Sequence, residues 1–209
     1  MSLARDLRQV RASLEAQLSA GVLEAAESAL RETCAGGSAA RVLDVGECAP
    51  EFELTTPSGG TLRCSELLAD GPLLVCFIRG AWCPFSATEL QYLGRYAPQV
   101  RETGASILAL SPEPAERCAE FATSLGLDFP LLQDADSRVA RGFGLEIEFD
   151  DPLRAVLRAE RIAYGGRREV PVPGLFVLDP AGVVRFAYSR TDYHLRAEPE
   201  SWMRVLRKI

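Results

Sequence analysis

Leu73-Leu74-Val75-Cys76-Phe77-Ile78-Arg79-Gly80-Ala81-Trp82-Cys83-Pro84-Phe85-Ser86 decides how this chain is read. Six consecutive apolar residues, 73–78, predict a strand covered on both faces. Pro84 then suits the first turn of a helix, where its missing N–H is not needed. Cys83 therefore falls at a strand-to-helix junction, where backbone N–H groups and the helix dipole favour a thiolate, the nucleophilic form of cysteine. Ser86 stands three residues on, where a Cys-x-x-Cys motif would carry its second thiol. A serine cannot close an intramolecular disulfide, but its hydroxyl could donate to a thiolate at Cys83 and favour the charged form. Trp82 beside the cysteine argues against an ordinary helix cap. Arg79 is read in two ways, as a cation steadying the thiolate or as a surface salt-bridge partner.

Outward from this stretch, 209 residues with 47% hydrophobic content suit one domain with a real core and an appendage. A net charge of -6 gives no overall basic character for nucleic acid or anionic membranes. No apolar run approaches the roughly 20 residues of a membrane span, and the first residues lack a signal-peptide core, so the expectation is a cytoplasmic protein. In such a chain six cysteines (Cys34, Cys48, Cys64, Cys76, Cys83 and Cys118) do not suggest a disulfide scaffold. Their spacing does not match a zinc site, and no metal, nucleotide or flavin signature is present. The expectation is no cofactor.

Residues 1–40 read as a helical N-terminal extension of two helices. Leu3, Leu7, Val10, Leu14 and Leu18 line the first, and Val22, Ala26 and Leu30 the second, with Gly36-Gly37 as its stop. Residues 41–209 read as the main domain. Pro57-Ser58-Gly59-Gly60 marks a hairpin, and Ser65 is expected to cap a short helix. Helix 84–100 should break or kink at Pro98. Further strands are expected at 106–110 and 129–133, with a helix from Pro112–Pro114 to Leu125 and a short one over 137–143. Asp179-Pro180-Ala181-Gly182 joins an antiparallel pair, 175–178 and 183–188, and a helix over 198–206 closes the chain. Residues 145–170 carry the weakest pattern, with a helix over 153–162. This order predicts an α/β fold whose mixed sheet starts parallel and ends antiparallel, flanked by helices, with the nucleophile at the carboxyl end of a central strand.

Several motifs then coincide. Val45-Gly46-Glu47-Cys48-Ala49-Pro50-Glu51-Phe52 and Phe77 to Ser86 resemble stretches of the peroxiredoxin-like alkyl hydroperoxide reductase/thiol-specific antioxidant family. So do Leu110-Ser111-Pro112-Glu113, Phe129 to Asp134, Val170 to Asp179, and Asp192-Tyr193 with Arg196 and Glu198-Pro199. The resemblance spans about residues 42–200 and implies a thioredoxin-like fold. In typical peroxiredoxins of the Pro-x-x-x-Thr/Ser-x-x-Cys kind the attacking Cys falls at Ser86, the Thr/Ser at Cys83 and the Pro at Arg79, so none of the three matches. Cys83 corresponds instead to the attacking Cys of thioredoxin. Pro173 corresponds to the proline facing that site, and a cis Val172–Pro173 bond is expected.

The resemblance implies a thiol-dependent oxidoreductase acting on a peroxide or a disulfide. Cys83 would be its nucleophile and Ser86 would modify or block the family reaction, with Arg79, Trp82, Pro84 and Pro173 supporting the site. An external thiol, either a thioredoxin-type protein or a small thiol, would regenerate it, and a homodimer would suit the apolar extension. The alternative is a redox sensor or binding module that keeps the fold with weakened turnover. Cys48, Cys64 or Cys118 could resolve an oxidised Cys83. Glu89 is read as a solvated helix residue in preference to a proton relay, His194 as structural, and Asp150-Asp151 as a helix cap.

Overall fold

The computed structural model describes residues 2–22, 24–25, 27–28, 41–148, 151–159, 164–166, 169–190 and 192–209. Most of the second helix expected for the extension, and Cys34, lie outside the described residues.

Five strands form the central sheet: β3 (Leu73–Phe77), β4 (Ser106–Ser111), β5 (Leu131–Gln133), β8 (Gly174–Leu178) and β9 (Val184–Ser189), in the order β5-β4-β3-β8-β9. β3 pairs parallel with β4, and β4 with β5; β8 and β9 complete the sheet antiparallel. This is the mixed sheet expected from the sequence. β3 lies in the middle, which is why all five of its residues are buried and the run is apolar without alternation.

One face carries Leu74, Cys76 and Ile78 against α3 (Pro84–Glu102), α4 (Ala115–Leu125) and α7 (Pro199–Leu206). The other carries Leu73, Val75 and Phe77 against α2 (Cys64–Ala69), α5 (Arg138–Gly142) and the hairpin of β1 (Glu53–Thr55) and β2 (Thr61–Arg63). α3 runs through Pro98 without ending, so the expected break does not occur. Ser65 does not cap α2; Arg63 holds that place, its N–H donating to Glu66 at 3.2 Å. In the weakly patterned region, α6 (Asp151–Ala159) is helical. On either side of it, β6 (Glu146–Glu148) and β7 (Glu169–Pro171) pair antiparallel, a ladder not foreseen from the sequence.

The extension contributes α1 (Leu3–Gln17), which packs along α3. Its free N-terminal amides are satisfied from far away in the chain. The Glu198 carboxylate accepts from Ala4 N–H at 2.8 Å, Leu3 N–H at 3.1 Å and Ser2 Oγ at 2.9 Å.

Candidate active site

The loop from β3 into α3 sets the position of Cys83. Gly80 sits at φ 134°, and a Cβ there would lie 2.8 Å from both the Glu113 carboxylate and the Trp82 ring nitrogen, so glycine is required. Glu113 Oε2 accepts from Ala81 N–H at 2.5 Å, and Cys83 N–H donates to Gly80 O at 3.1 Å. Cys83 is the N-cap of α3 in extended conformation, and Pro84 takes the first helical position. These placements match the sequence reading.

The sulfur's surroundings do not match it. The sequence reading has helix amides favouring a thiolate at this junction. Cys83 is instead 1% exposed, and no helix amide bonds its side chain. It lies in an apolar cluster with Leu3, Leu7, Phe85, Tyr92, Tyr164 and Tyr193. Most of that cover comes from residues remote in sequence, which is why a reading of the junction alone misses it.

The polar partner of Cys83 is Arg79. Its guanidinium faces the Cys83 side chain; burial depresses the Arg79 pKa, and the facing cysteine offsets only part of that loss. Arg79 is 5% exposed and stacked between two rings, 4.6 Å from the centroids of Trp82 and Tyr193. Arg79 is therefore not the surface residue that the salt-bridge alternative expected.

A second buried cation stands behind this pair. Arg196 is 6% exposed and donates through Nε to Glu89, and through Nη1 to the carbonyls of Tyr193 and Leu195. Burial alone would lower the Arg196 pKa, but Glu89, Cys83 and Cys76 raise it overall. Its Nη2 is buried without a partner. Glu89 is thus a buried ion-pair member and not the solvated residue expected. Its position on α3 was a usable signal, because it falls on the stripe shared by Ser86, Leu90 and Leu93.

Ser86 is fully buried, and its Oγ accepts from Arg79 N–H at 3.3 Å. The bond expected from Ser86 to the Cys83 sulfur is not formed; the hydroxyl meets the backbone of Arg79. Pro173 lies next to Val172, which belongs to the Cys83 cluster. The Val172–Pro173 bond is trans, because the described residues hold no cis peptide bond. Val172 N–H donates to Leu145 O at 2.6 Å and Pro173 O accepts from Ser189 Oγ at 3.1 Å, so the segment passes extended from β7 into β8. His194 packs against Phe85 and Tyr193 of the Cys83 cluster. Its ring packs 4.8 Å from that of Phe85, Nδ1 lies 2.9 Å from Asp192, and burial lowers its pKa.

The described thiols weighed as resolving partners are placed elsewhere. Cys64 lies on the far face of the sheet, where burial and Glu51 push its pKa up to about 12. Cys118 belongs to the helix-covered face and donates to Glu113 O at 3.4 Å. Cys48 is exposed, opposite Val183. All five described cysteines are free. Among the described residues no group of three or more His, Cys, Asp or Glu is placed to hold a metal.

Comparison with known proteins identifies the family. The AhpC/TSA family profile matches residues 45–187. A Mycobacterium tuberculosis protein named a peroxiredoxin is 34% identical over 130 residues, covering 62% of this chain and 84% of the relative. The thiol-disulfide oxidoreductase ResA of Geobacillus kaustophilus is 31% identical over 102 residues, 48% of this chain and 58% of that protein. Among solved structures, peroxidoxin BcpB from Mycobacterium tuberculosis superposes with a TM-score of 0.64 at 27% identity, over 80% of this chain and 98% of that one. With its thioredoxin-like sheet and a cysteine at the head of the helix after the central strand, the chain belongs to the AhpC/TSA family of peroxiredoxin-type thiol oxidoreductases.

Proposed function

We propose that Cys83 is the nucleophile through which this thiol-dependent oxidoreductase reduces peroxide. The observation that carries the reading is the buried Arg79 guanidinium, clamped between Trp82 and Tyr193 and facing Cys83 at the head of α3. The cation and the helix dipole both favour negative charge on that sulfur. The thiolate attacks one peroxide oxygen, the O–O bond breaks, and the leaving alkoxide or hydroxide takes a proton. Cys83 becomes a sulfenic acid as the peroxide is reduced to an alcohol or water.

Regeneration comes from outside. One external thiol condenses with the sulfenic acid, releasing water and leaving a mixed disulfide on Cys83. A second thiol attacks that disulfide and restores the thiolate. Ser86 cannot replace either thiol, so the cycle is of the monothiol kind. A thioredoxin-type protein or a small thiol fits the reductant role, and a disulfide could enter at the mixed-disulfide stage. The acidic balance and the lack of a long apolar helix among the described residues support a cytoplasmic protein without nucleic-acid or membrane partners. Packing of an apolar extension on the domain is compatible with a homodimer.

The test is the reaction of hydrogen peroxide with Cys83, followed by sulfenic-acid trapping and peptide mass spectrometry. Trapping at Cys83 faster than for free cysteine is expected; a Cys83 no faster than free cysteine defeats the assignment. One observation favours the sensor alternative. At 1% exposure the sulfur is shielded, and an oxidised form would persist until a reductant reached it.

A further inference from the structure

We propose that α1 is a size filter on Cys83, admitting small oxidants and excluding large disulfides and protein thiols while it is docked. The proposal rests on the assignment of Cys83 as nucleophile and names the class of substrate that reaches it first.

Three observations carry it. Leu3 and Leu7, 2% and 3% exposed, belong to the same packed cluster as Cys83. The helix is also held by polar contacts at fixed points. Glu198 caps its first turn, and the Asp6 carboxylate accepts from Tyr92 Oη at 2.7 Å; Tyr92 lies on α3, the helix that Cys83 caps. Finally, α1 lies before the region shared with the AhpC/TSA family, which begins at residue 45. Cys83 and Arg79 lie inside the matched region, and α1 lies outside it.

A helix of 15 residues is marginal alone in water and stays formed through its contacts, so it can leave without unfolding the sheet. Hydrogen peroxide is small enough to enter through side-chain motion. A protein disulfide must bring a sulfur in line with Cys83 together with its own backbone, and α1 stands in that path. Oxidation by small peroxides therefore precedes release of the helix, and reduction by a large thiol follows it.

The experiment compares two probes on the full chain, iodoacetamide and a polyethylene-glycol maleimide, with Cys83 labelling read by peptide mass spectrometry to separate it from exposed Cys48. Leu7→Glu puts a carboxylate into the apolar cluster and drives α1 off. Leu3→Ala/Leu7→Ala loosens it more gently and serves if the first variant does not fold. In either variant the bulky-to-small rate ratio at Cys83 should rise roughly tenfold or more, the factor set by about 1.4 kcal/mol of lost closure. A ratio unchanged in the folded variants overturns the filter. If the ratio rises while Cys83 remains no faster than free cysteine toward peroxide, the filter stands and the nucleophile assignment fails.

Discussion

In the proposed reading Arg79, Cys83 and Ser86 act together: the guanidinium faces the sulfur, and the serine hydroxyl accepts from the backbone N–H of the same arginine. A hydrogen bond to a charged group contributes about 1.5–3 kcal/mol, so Arg79→Met should slow alkylation of Cys83 at pH 7 by roughly ten- to a hundredfold. Stopped-flow reaction with iodoacetamide measures this, and an unchanged rate would mean the cation does not serve the thiol. Ser86→Cys removes a neutral hydrogen bond worth about 1 kcal/mol and installs a second thiol one helical turn from the first. Treated with peroxide and then glutathione, the wild-type protein should keep an adduct on Cys83. The Ser86→Cys variant should shed it as an internal disulfide, seen as the loss of the adduct mass. Persistence of the adduct in the variant would show that the two positions cannot pair.

At the scale of elements, the β3–α3 loop and the face of α3 below it decide whether the site is held. Gly80→Ala forces a Cβ to within 2.8 Å of Glu113 and Trp82 at a φ of 134°, so it should displace the Arg79–Trp82 stack and quench the change in Trp fluorescence on Cys83 oxidation. Beneath the loop, Glu89 and Arg196 form a buried pair. Arg196→Met leaves Glu89 buried and uncompensated and should cost about 3–5 kcal/mol in urea unfolding, whereas Glu89→Gln/Arg196→Met should cost less than the single change. Equal losses in single and double variants would show the pair is not coupled. The β8–β9 turn gives a pH test. Burial opposes ionisation of Asp179, but Val183 N–H, Arg185 and Ala181 N–H outweigh it and hold its pKa below 3.8. The folded value is depressed, so the contribution is full above pH 3.8 and is lost as pH falls through the folded value. Asp179→Asn should therefore lower Tm at pH 7 and matter least in strong acid; a deficit independent of pH would contradict the assignment.

At the scale of the whole molecule, local signals and distant ones separate cleanly. The β3 run, the β8–β9 hairpin and Cys83 at the head of α3 were all legible, because each is written in neighbouring residues: a continuous apolar stretch, a Pro-Ala-Gly turn, a Cys-Pro junction. The cover over the thiol was not legible, because Leu3, Leu7, Tyr164 and Tyr193 come from segments that the fold alone brings together. Glu89 read as solvated because its partner, Arg196, lies 107 residues away. The β6–β7 ladder was hidden by short strands, one ending in proline, on either side of a helix. The placement of Cys83 was thus legible in one junction, while its surroundings depend on residues spread from the first turn of the extension to the segment before α7.

The measurement that tests this account most directly is the second-order rate of Cys83 with hydrogen peroxide in wild-type protein and in Arg79→Met, read by sulfenic-acid trapping at that residue. The account predicts a wild-type rate clearly above that of free cysteine and a fall toward the free-cysteine rate in the variant. Equal rates in the two proteins, or a wild-type Cys83 no faster than free cysteine, would contradict it.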